Sequence, residues 1–422
     1  MTLQFLSFAV LTAALGWLAL QLREHFLRAG HERTRRNAEF ARLENTLLAE
    51  REKRERARES SEAWSGFRKF RVARKTVEGG GICSFYLQAH DRKPIADFFP
   101  GQYLTFRLAI PGQPKPAVRC YSLSDCYRKE GYRVSIKAVP PPRDKPEAPP
   151  GLVSSFFHEQ IEEGAILDVR APSGQFYLKS APRRPIVLIG GGVGLTPVLS
   201  MLNKLSSEPG DREIWFFYGV RNSSEHVLQE EMEAAASRSA NVRLVYCYSD
   251  PLPEDTVGGN TVQGWISIDL FKSKLASNNY DYYICGPGPL MESMINGLRE
   301  WGVPDANVHY ETFGPSSAKK TNQAATVDVD TGAQKKPVAC SVEFRKSGKT
   351  IKWEGQSDNL LELAEANDVS IGSGCRAGSC GSCQVAVLSG KVAYAQQPDL
   401  DPDEGSCLTC IGKPAENLVI DA

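Results

Sequence analysis

Cys375-Arg376-Ala377-Gly378-Ser379-Cys380-Gly381-Ser382-Cys383 decides the reading of the C-terminal part of the chain. Its thiols follow C-x4-C-x2-C spacing. The intervening Gly and Ser residues let three thiolates converge and leave backbone N–H groups to face the sulfurs, which stabilises a cluster's negative charge. This spacing indicates a two-iron two-sulfur cluster; a structural zinc site is the competing use of clustered cysteines. Two downstream residues can supply the fourth ligand, Cys407 and Cys410.

The segment Gly405-Ser406-Cys407-Leu408-Thr409-Cys410 resembles the plant-type ferredoxin pattern, in which Leu-Thr-Cys precedes the last strand. The resemblance covers residues 338–422 and implies an α+β β-grasp fold. It assigns Cys375, Cys380, Cys383 and Cys410 as the iron ligands, with Cys407 packed nearby.

Upstream of a linker at 315–337, which has no large apolar residues, apolar strands alternate with helical stretches from Ile186 onward. That alternation predicts a parallel α/β domain over 183–314. Its first strand runs into Gly190-Gly191-Gly192-Val193-Gly194-Leu195-Thr196-Pro197. Glycines let a backbone approach a pyrophosphate, and a helix start favours its charge. A later strand ends in Cys285-Gly286-Pro287-Gly288-Pro289, at the C-terminal ends of the strands where open α/β sheets bind ligands.

Between 64 and 182 the texture is short β-type runs separated by Pro-Gly turns, the pattern of an antiparallel barrel. There Arg119-Cys120-Tyr121-Ser122-Leu123-Ser124 offers a ring to stack on a flavin, a hydroxyl to bond it and a guanidinium for its pyrophosphate. Gly151-Leu152-Val153-Ser154 opens a helix whose N–H groups suit a phosphate, with Ser154 as an added hydroxyl donor.

Together these motifs resemble the ferredoxin–NADP reductase superfamily, and within it the reductase part of flavohaemoglobins. The likeness runs from Trp64 through Pro100-Gly101-Gln102-Tyr103, Arg119–Ser124, Gly151–Phe157 and Ala171-Pro172-Ser173-Gly174 to His309-Tyr310-Glu311-Thr312-Phe313-Gly314. It implies FAD, with FMN as the lesser option. Flavin contacts would come from Arg119, Tyr121, Ser122, Leu123, Gly151, Val153 and Ser154. Nucleotide contacts would come from Gly191, Gly192, Gly194, Thr196, Cys285, Gly286, Pro287 and Phe313. Tyr121, Ser122, Cys285 and Glu311 would form the site of hydride transfer. One arginine, Arg221, and an acid, Asp250, after the neighbouring strands point to NADH, with NADPH possible.

Residues 3–22 form an apolar, uncharged stretch. As a helix it reaches roughly 30 Å, a bilayer core. Arg23, Arg28, Arg33, Arg35 and Arg36 follow it, so the catalytic domains are expected on the cytoplasmic side of an inner membrane. Residues 23–63 read as a charged helical stalk.

Among 422 residues, 50 basic side chains balance 50 acidic ones, which gives no electrostatic reason for nucleic-acid binding. Eleven cysteines over this length make no disulfide scaffold. The expected whole is a membrane-anchored oxidoreductase passing electrons from NADH to FAD to the cluster and on to an acceptor. A membrane desaturase or hydroxylase is the first expectation for that acceptor; a quinone, or a redox-sensing partner, is the alternative.

Deleting residues 1–22 is expected to leave NADH–ferricyanide turnover nearly unchanged. Delivery to an acceptor in native membranes should fall sharply at dilute protein, because tethering no longer supplies effective concentration. Both rates, measured side by side across a dilution series, check this; equal delivery at every dilution would mean a soluble acceptor.

Overall fold

The computed structural model describes Trp17 and residues 63–312 and 340–422, apart from 65, 115, 142–144, 180–183, 375, 377, 379–380, 395–397 and 399–401. The expected span, Trp17 aside, and the expected stalk, Ala63 aside, lie outside the described residues, as does the linker. Among the described residues no helix is long and apolar enough to cross a membrane.

The first sheet holds β1 (Arg68–Gly79), β2 (Ile82–Ala89), β3 (Tyr103–Leu108), β4 (Ala117–Ser122), β5 (Tyr132–Lys137) and β6 (Ile166–Val169), with helix α1 (Leu152–Gln160) between the last two. Its order is β4-β3-β6-β1-β2-β5, and its pairs are antiparallel. A bridge between Leu123 and Val134 joins the two outer strands, so the sheet curls into a barrel. Alternation drives this: Phe70 and Val72 are fully buried while Lys69 and Arg71 face out. β1 spans 12 residues, far beyond the apolar Phe70–Val72 run that announces it. Two register shifts against β2 let a long strand bend around the barrel. Phe157 of α1 plugs the barrel, its ring 5.2 Å from Phe85 and 5.4 Å from Phe106.

The second sheet is parallel, in the order β10-β9-β8-β7-β11-β12. Its strands are β7 (Ile186–Gly191), β8 (Ile214–Val220), β9 (Val242–Tyr248), β10 (Thr261–Gln263), β11 (Asp281–Gly286) and β12 (Val308–Thr312). Helices α2 (Leu195–Ser207), α3 (Gln229–Arg238), α4 (Ile268–Lys274) and α5 (Gly288–Glu300) connect them. Two separate apolar clusters line its two faces, one under α2 and α3 and one under α4 and α5. Continuous burial of β7, β8 and β11 follows from that double cover. The chain leaves β7 toward β8 and leaves β11 toward β12, in opposite directions, so a crevice opens between the ends of β7 and β11.

The C-terminal part places β13 (Cys340–Phe344), β14 (Lys349–Trp353), β15 (Gln384–Ser389), β17 (Ser406–Leu408) and β19 (Leu418–Ile420) in one mixed sheet. Strands β16 (Val392–Tyr394) and β18 (Gly412–Pro414) pair beside it, and α6 (Leu360–Ala366) buries Leu360, Leu363 and Ala364 in its core. The Asn359 side chain caps α6 by accepting from the Glu362 N–H at 2.9 Å.

Barrel and parallel sheet are joined by an ion pair whose arginine is buried and whose carboxylate is partly exposed. Arg133 of β5 donates from Nη1 and Nη2 to Glu231 of α3 at 2.7 and 2.8 Å. Burial opposes the arginine's charge, yet the Glu231 carboxylate outweighs it and holds the guanidinium above its usual range. Removing one partner of such a pair costs roughly 3–5 kcal/mol, because the other charge is left uncompensated.

Candidate functional site

The crevice is built by backbone contact. A β-carbon on Gly194 would overlap the carbonyl of Cys285, and one on Gly191 would sit 2.5 Å from Leu290 Cδ2. The ends of β7 and β11 therefore touch through their main chains, which only glycine allows. Gly192 adds φ +54°, which turns the loop into a short 3-10 segment ahead of α2. Thr196 is buried and donates to the Val193 carbonyl at 3.2 Å, closing the loop on itself. The structure thus brings Gly191, Gly192, Gly194 and Thr196 together with Cys285, Gly286 and Pro287.

Cys285 is fully buried, and burial followed by the nearby Glu311 charge pushes its thiol well above the usual range, so it stays protonated. Glu311 reaches it because β11 and β12 run in parallel with Cys285 opposite Glu311. Beside them His309 packs on Tyr283 with ring centroids 4.7 Å apart. Burial, with a smaller push from Lys179, lowers its pKa to about 4, so the imidazole is neutral near pH 7. Phe313 lies outside the described residues.

On the barrel, Arg119 and Tyr121 share one face of β4 (i, i+2) and Ser122 takes the other. Tyr121 meets Phe106 and Phe157 edge to face at 5.9 and 5.3 Å. Those edges fix the ring's plane, and its half-buried state leaves area for a stacking partner. Arg119 is exposed and donates to its neighbour Val118's carbonyl at 2.7 Å. Leu123 is fully buried and anchors the strand end.

Ser154 departs from its expected part. Its one O–H donates to the Gly151 carbonyl at 2.9 Å, and its oxygen accepts from Val139 N–H at 3.2 Å. With its donor committed inside the loop, Ser154 shapes the turn. The helix start, at Leu152 and Val153, leaves backbone N–H groups without a helical partner, as at any helix N-terminus. Gly151 is required there, because a β-carbon would lie 2.8 Å from both Ser154 Oγ and Val139 Cβ.

In the C-terminal domain, Thr409 links the segments that carry Cys383 and Cys410. Its N–H and its Oγ1 both donate to the Cys383 carbonyl, at 3.2 and 2.9 Å, and the next residue is Cys410. Cys383 and Cys410 share a small buried cluster with Leu361 and Leu408. Cys407 packs instead in the domain's main core with Val342, Phe344 and Leu418. Burial, then Cys383, pushes its thiol up to about 12. The cysteine loop is pinned from outside by Arg376, which pairs with Glu365 of α6 at 3.0 Å. Cys375 and Cys380 lie outside the described residues.

Sequence reasoning did not find Asp125, Ser200, Asn203 and Glu231, which meet Arg133 and Ser124 in one hydrogen-bonded group. No local motif marks them; partners lie up to 98 residues apart.

Comparison with known families matches residues 69–177 to the oxidoreductase FAD-binding domain, 188–296 to the oxidoreductase NAD-binding domain and 343–415 to the 2Fe-2S iron-sulfur cluster binding domain. The chain is 38% identical over 271 residues to a flavohemoprotein of Halalkalibacterium halodurans, covering 64% of this chain and 65% of that one. It is 36% identical over 274 residues to a flavohemoprotein of Bacillus thuringiensis, covering 64% and 67%. The chain thus spans about two thirds of the length of these relatives. Among solved structures it resembles the FAD/NAD-binding domain of a nitric oxide dioxygenase from Vibrio cholerae, with TM-score 0.53, 30% identity, and 59% of this chain matched to 100% of that one. Phthalate dioxygenase reductase, described as modular for electron transfer from pyridine nucleotides to [2Fe-2S], shares the fold over 85% of this chain and 98% of its own, with TM-score 0.51 and 24% identity.

Gly194→Ala should force β7 from β11 by overpacking, worth roughly 1–3 kcal/mol. The KM for NADH is expected to rise about tenfold or more while FAD content stays at the wild-type level, measured by steady-state kinetics and flavin absorbance. Cys407→Ser should keep the cluster's visible absorbance and Cys410→Ser should lose or shift it; the reverse pair of spectra would exchange the assignments.

Proposed function

The chain belongs to the flavohemoprotein-type FAD- and NAD-binding oxidoreductases and carries a 2Fe-2S domain, and from that premise we propose that it is an NADH-specific reductase serving an acceptor at a membrane. Electron transfer from NAD(P)H through FAD to the cluster is the coarse activity the three domains define. The observation that supports hydride transfer from a nicotinamide is the β7–β11 crevice, with Cys285 and Glu311 opposite each other at its wall.

The residues present suit each group. Tyr121 offers a half-buried ring whose plane Phe106 and Phe157 fix, and the start of α1 offers N–H donors, as FAD requires. The glycine loop leaves room for a pyrophosphate against main chain. Thr409 holds the segments of Cys383 and Cys410 together, as a cluster requires. When bound, FAD supplies the conversion between a hydride and single electrons, and the cluster carries those electrons singly.

What the protein contributes is placement and charge. Ser122 is a buried hydroxyl able to bond the flavin ring edge from β4. Cys285, held neutral by burial and by Glu311, adds bulk without charge next to the nicotinamide position. Glu311 supplies the negative charge that favours the positively charged oxidised ring.

The preference for NADH rests on the end of β8. Arg221 is paired with Asp250 at 3.2 Å, and Asp255 accepts from the Ser223 and Leu252 N–H groups beside it. Two carboxylates against one paired guanidinium disfavour a 2′-phosphate. The membrane acceptor rests on the apolar stretch at 3–22 and the arginines that follow it. An oxygen-activating desaturase or hydroxylase suits a cluster at about −400 mV.

Cys383→Ser tests the electron route. Reduction of a one-electron protein such as cytochrome c should be lost, while flavin reduction by NADH, read as bleaching of its absorbance, should persist. A variant that cannot reduce its own flavin would show that the two halves of the route are not separable.

A further inference from the structure

The strand that carries Tyr121 and Ser122 runs on into Ser124 and Asp125. The helix that opens at the glycine loop, α2, presents Thr196, Ser200 and Asn203 on successive turns of one face. These two segments are bonded directly. Ser200 Oγ donates to the Asp125 carbonyl at 2.7 Å, and Asn203 Nδ2 donates to Asp125 Oδ1 at 3.0 Å. The same Asn203 amide donates to Glu231 of α3, which grips Arg133. Arg133 returns to the flavin strand, with Nε on Ser124 Oγ at 3.1 Å and Nη2 on the Ser124 carbonyl. Arg128 closes the charge count by pairing with Asp125 at 2.6 Å. Ser124 and Ser200 are fully buried, and Asn203, Arg133 and Asp125 are 3%, 6% and 8% exposed.

The group is more than a generic domain contact. It ties two particular elements, each a few residues from a site. From Asp125 back to Ser122 is three extended residues, roughly 10 Å. From Ser200 back to Thr196 is about one helical turn, roughly 6 Å. Over such short stiff lengths a shift at the contact becomes a shift of the nucleotide loop against the flavin strand. Hydride transfer is sensitive to that, since a misplacement of about 1 Å can cost about a hundredfold.

We propose that Asp125, Asn203 and Glu231 are positioning residues for hydride transfer, a clamp that sets the stand-off between the nucleotide loop and the flavin strand. The clamp rests on the reading that Arg119–Leu123 hold the flavin and Gly190–Thr196 hold the nucleotide. It predicts a separable defect. Loosening the clamp leaves both sites intact and spoils their mutual placement, so the loss falls on the hydride step at saturating nucleotide.

The test uses the full chain loaded with FAD and cluster, as wild type, Glu231→Gln, Asn203→Ala and the double variant. Rapid mixing with NADH, and with NADH deuterated at C4, reads the rate of flavin reduction and its isotope effect. FAD content, flavin midpoint potential and melting temperature are measured alongside. Expected are unchanged FAD content and potential, a fall of about tenfold or more in flavin reduction at saturating NADH, and a fully expressed isotope effect. The double variant should lose less than the product of the single losses, because both act through one group. Flavin reduction unchanged at saturating NADH, with only the melting temperature lowered, would overturn the proposal and leave the group as structural support. Should Glu231→Gln fail to fold, Asn203→Ala removes two hydrogen bonds and no charge, and an unchanged rate there overturns it equally. Wild-type protein that binds no FAD or takes no hydride would strike at the underlying site assignment instead, a distinct result.

Discussion

A hydride moves only between two ring atoms held nearly in contact, so two separately folded halves must present their cofactors to each other with little play. In this chain that constraint is met by polar bonds as well as apolar packing. Apolar packing is non-directional and tolerates sliding. A buried arginine on a carboxylate, with an amide and a hydroxyl sharing the same partners, has one geometry that satisfies every donor. Arg133, Glu231, Asn203 and Asp125 supply it.

The same division between scaffold and placement recurs on a smaller scale. In the barrel, aromatic edges from Phe106 and Phe157 hold the plane of Tyr121, so the strand supplies the ring and the core supplies its orientation. In the parallel sheet, glycine removes side chains where β7 and β11 must touch, and the register of β12 brings Glu311 level with Cys285. In the C-terminal domain, Thr409 bonds the Cys383 carbonyl twice and fixes the separation of two thiol-bearing segments. Each functional side chain is thereby oriented by a neighbour that does no chemistry.

Electrostatics separates the regions by task. Around the nucleotide crevice, burial keeps Cys285 and His309 uncharged near neutral pH, and Glu311 adds a negative charge beside that thiol. At the interdomain group, charge is retained and closed by pairing, with Asp125 held below its usual range by Arg128 and Arg133 despite burial. A closed charged group resists being pulled apart, because opening it would strand charges in a poorly solvated place.

Much was readable from residues alone. The C-x4-C-x2-C spacing, the Gly190–Thr196 loop and Arg119–Ser124 each place their chemistry within one short segment, where chain geometry already limits what the side chains can reach. Strand alternation marked the barrel and apolar runs marked the parallel sheet, because burial on one face or two writes a different pattern. The preference for Cys410 over Cys407 was legible in the Leu-Thr-Cys pattern; that Cys407 packs in the main core and Cys410 in a separate small cluster is a matter of packing. The committed hydroxyl of Ser154, the pairing of Cys285 with Glu311 and the Arg133–Glu231 clamp needed the fold. Those contacts depend on loop closure, on the register of strands far apart in the chain, and on how two domains dock. Each is set by the whole pattern of burial, so no local stretch of sequence encodes it.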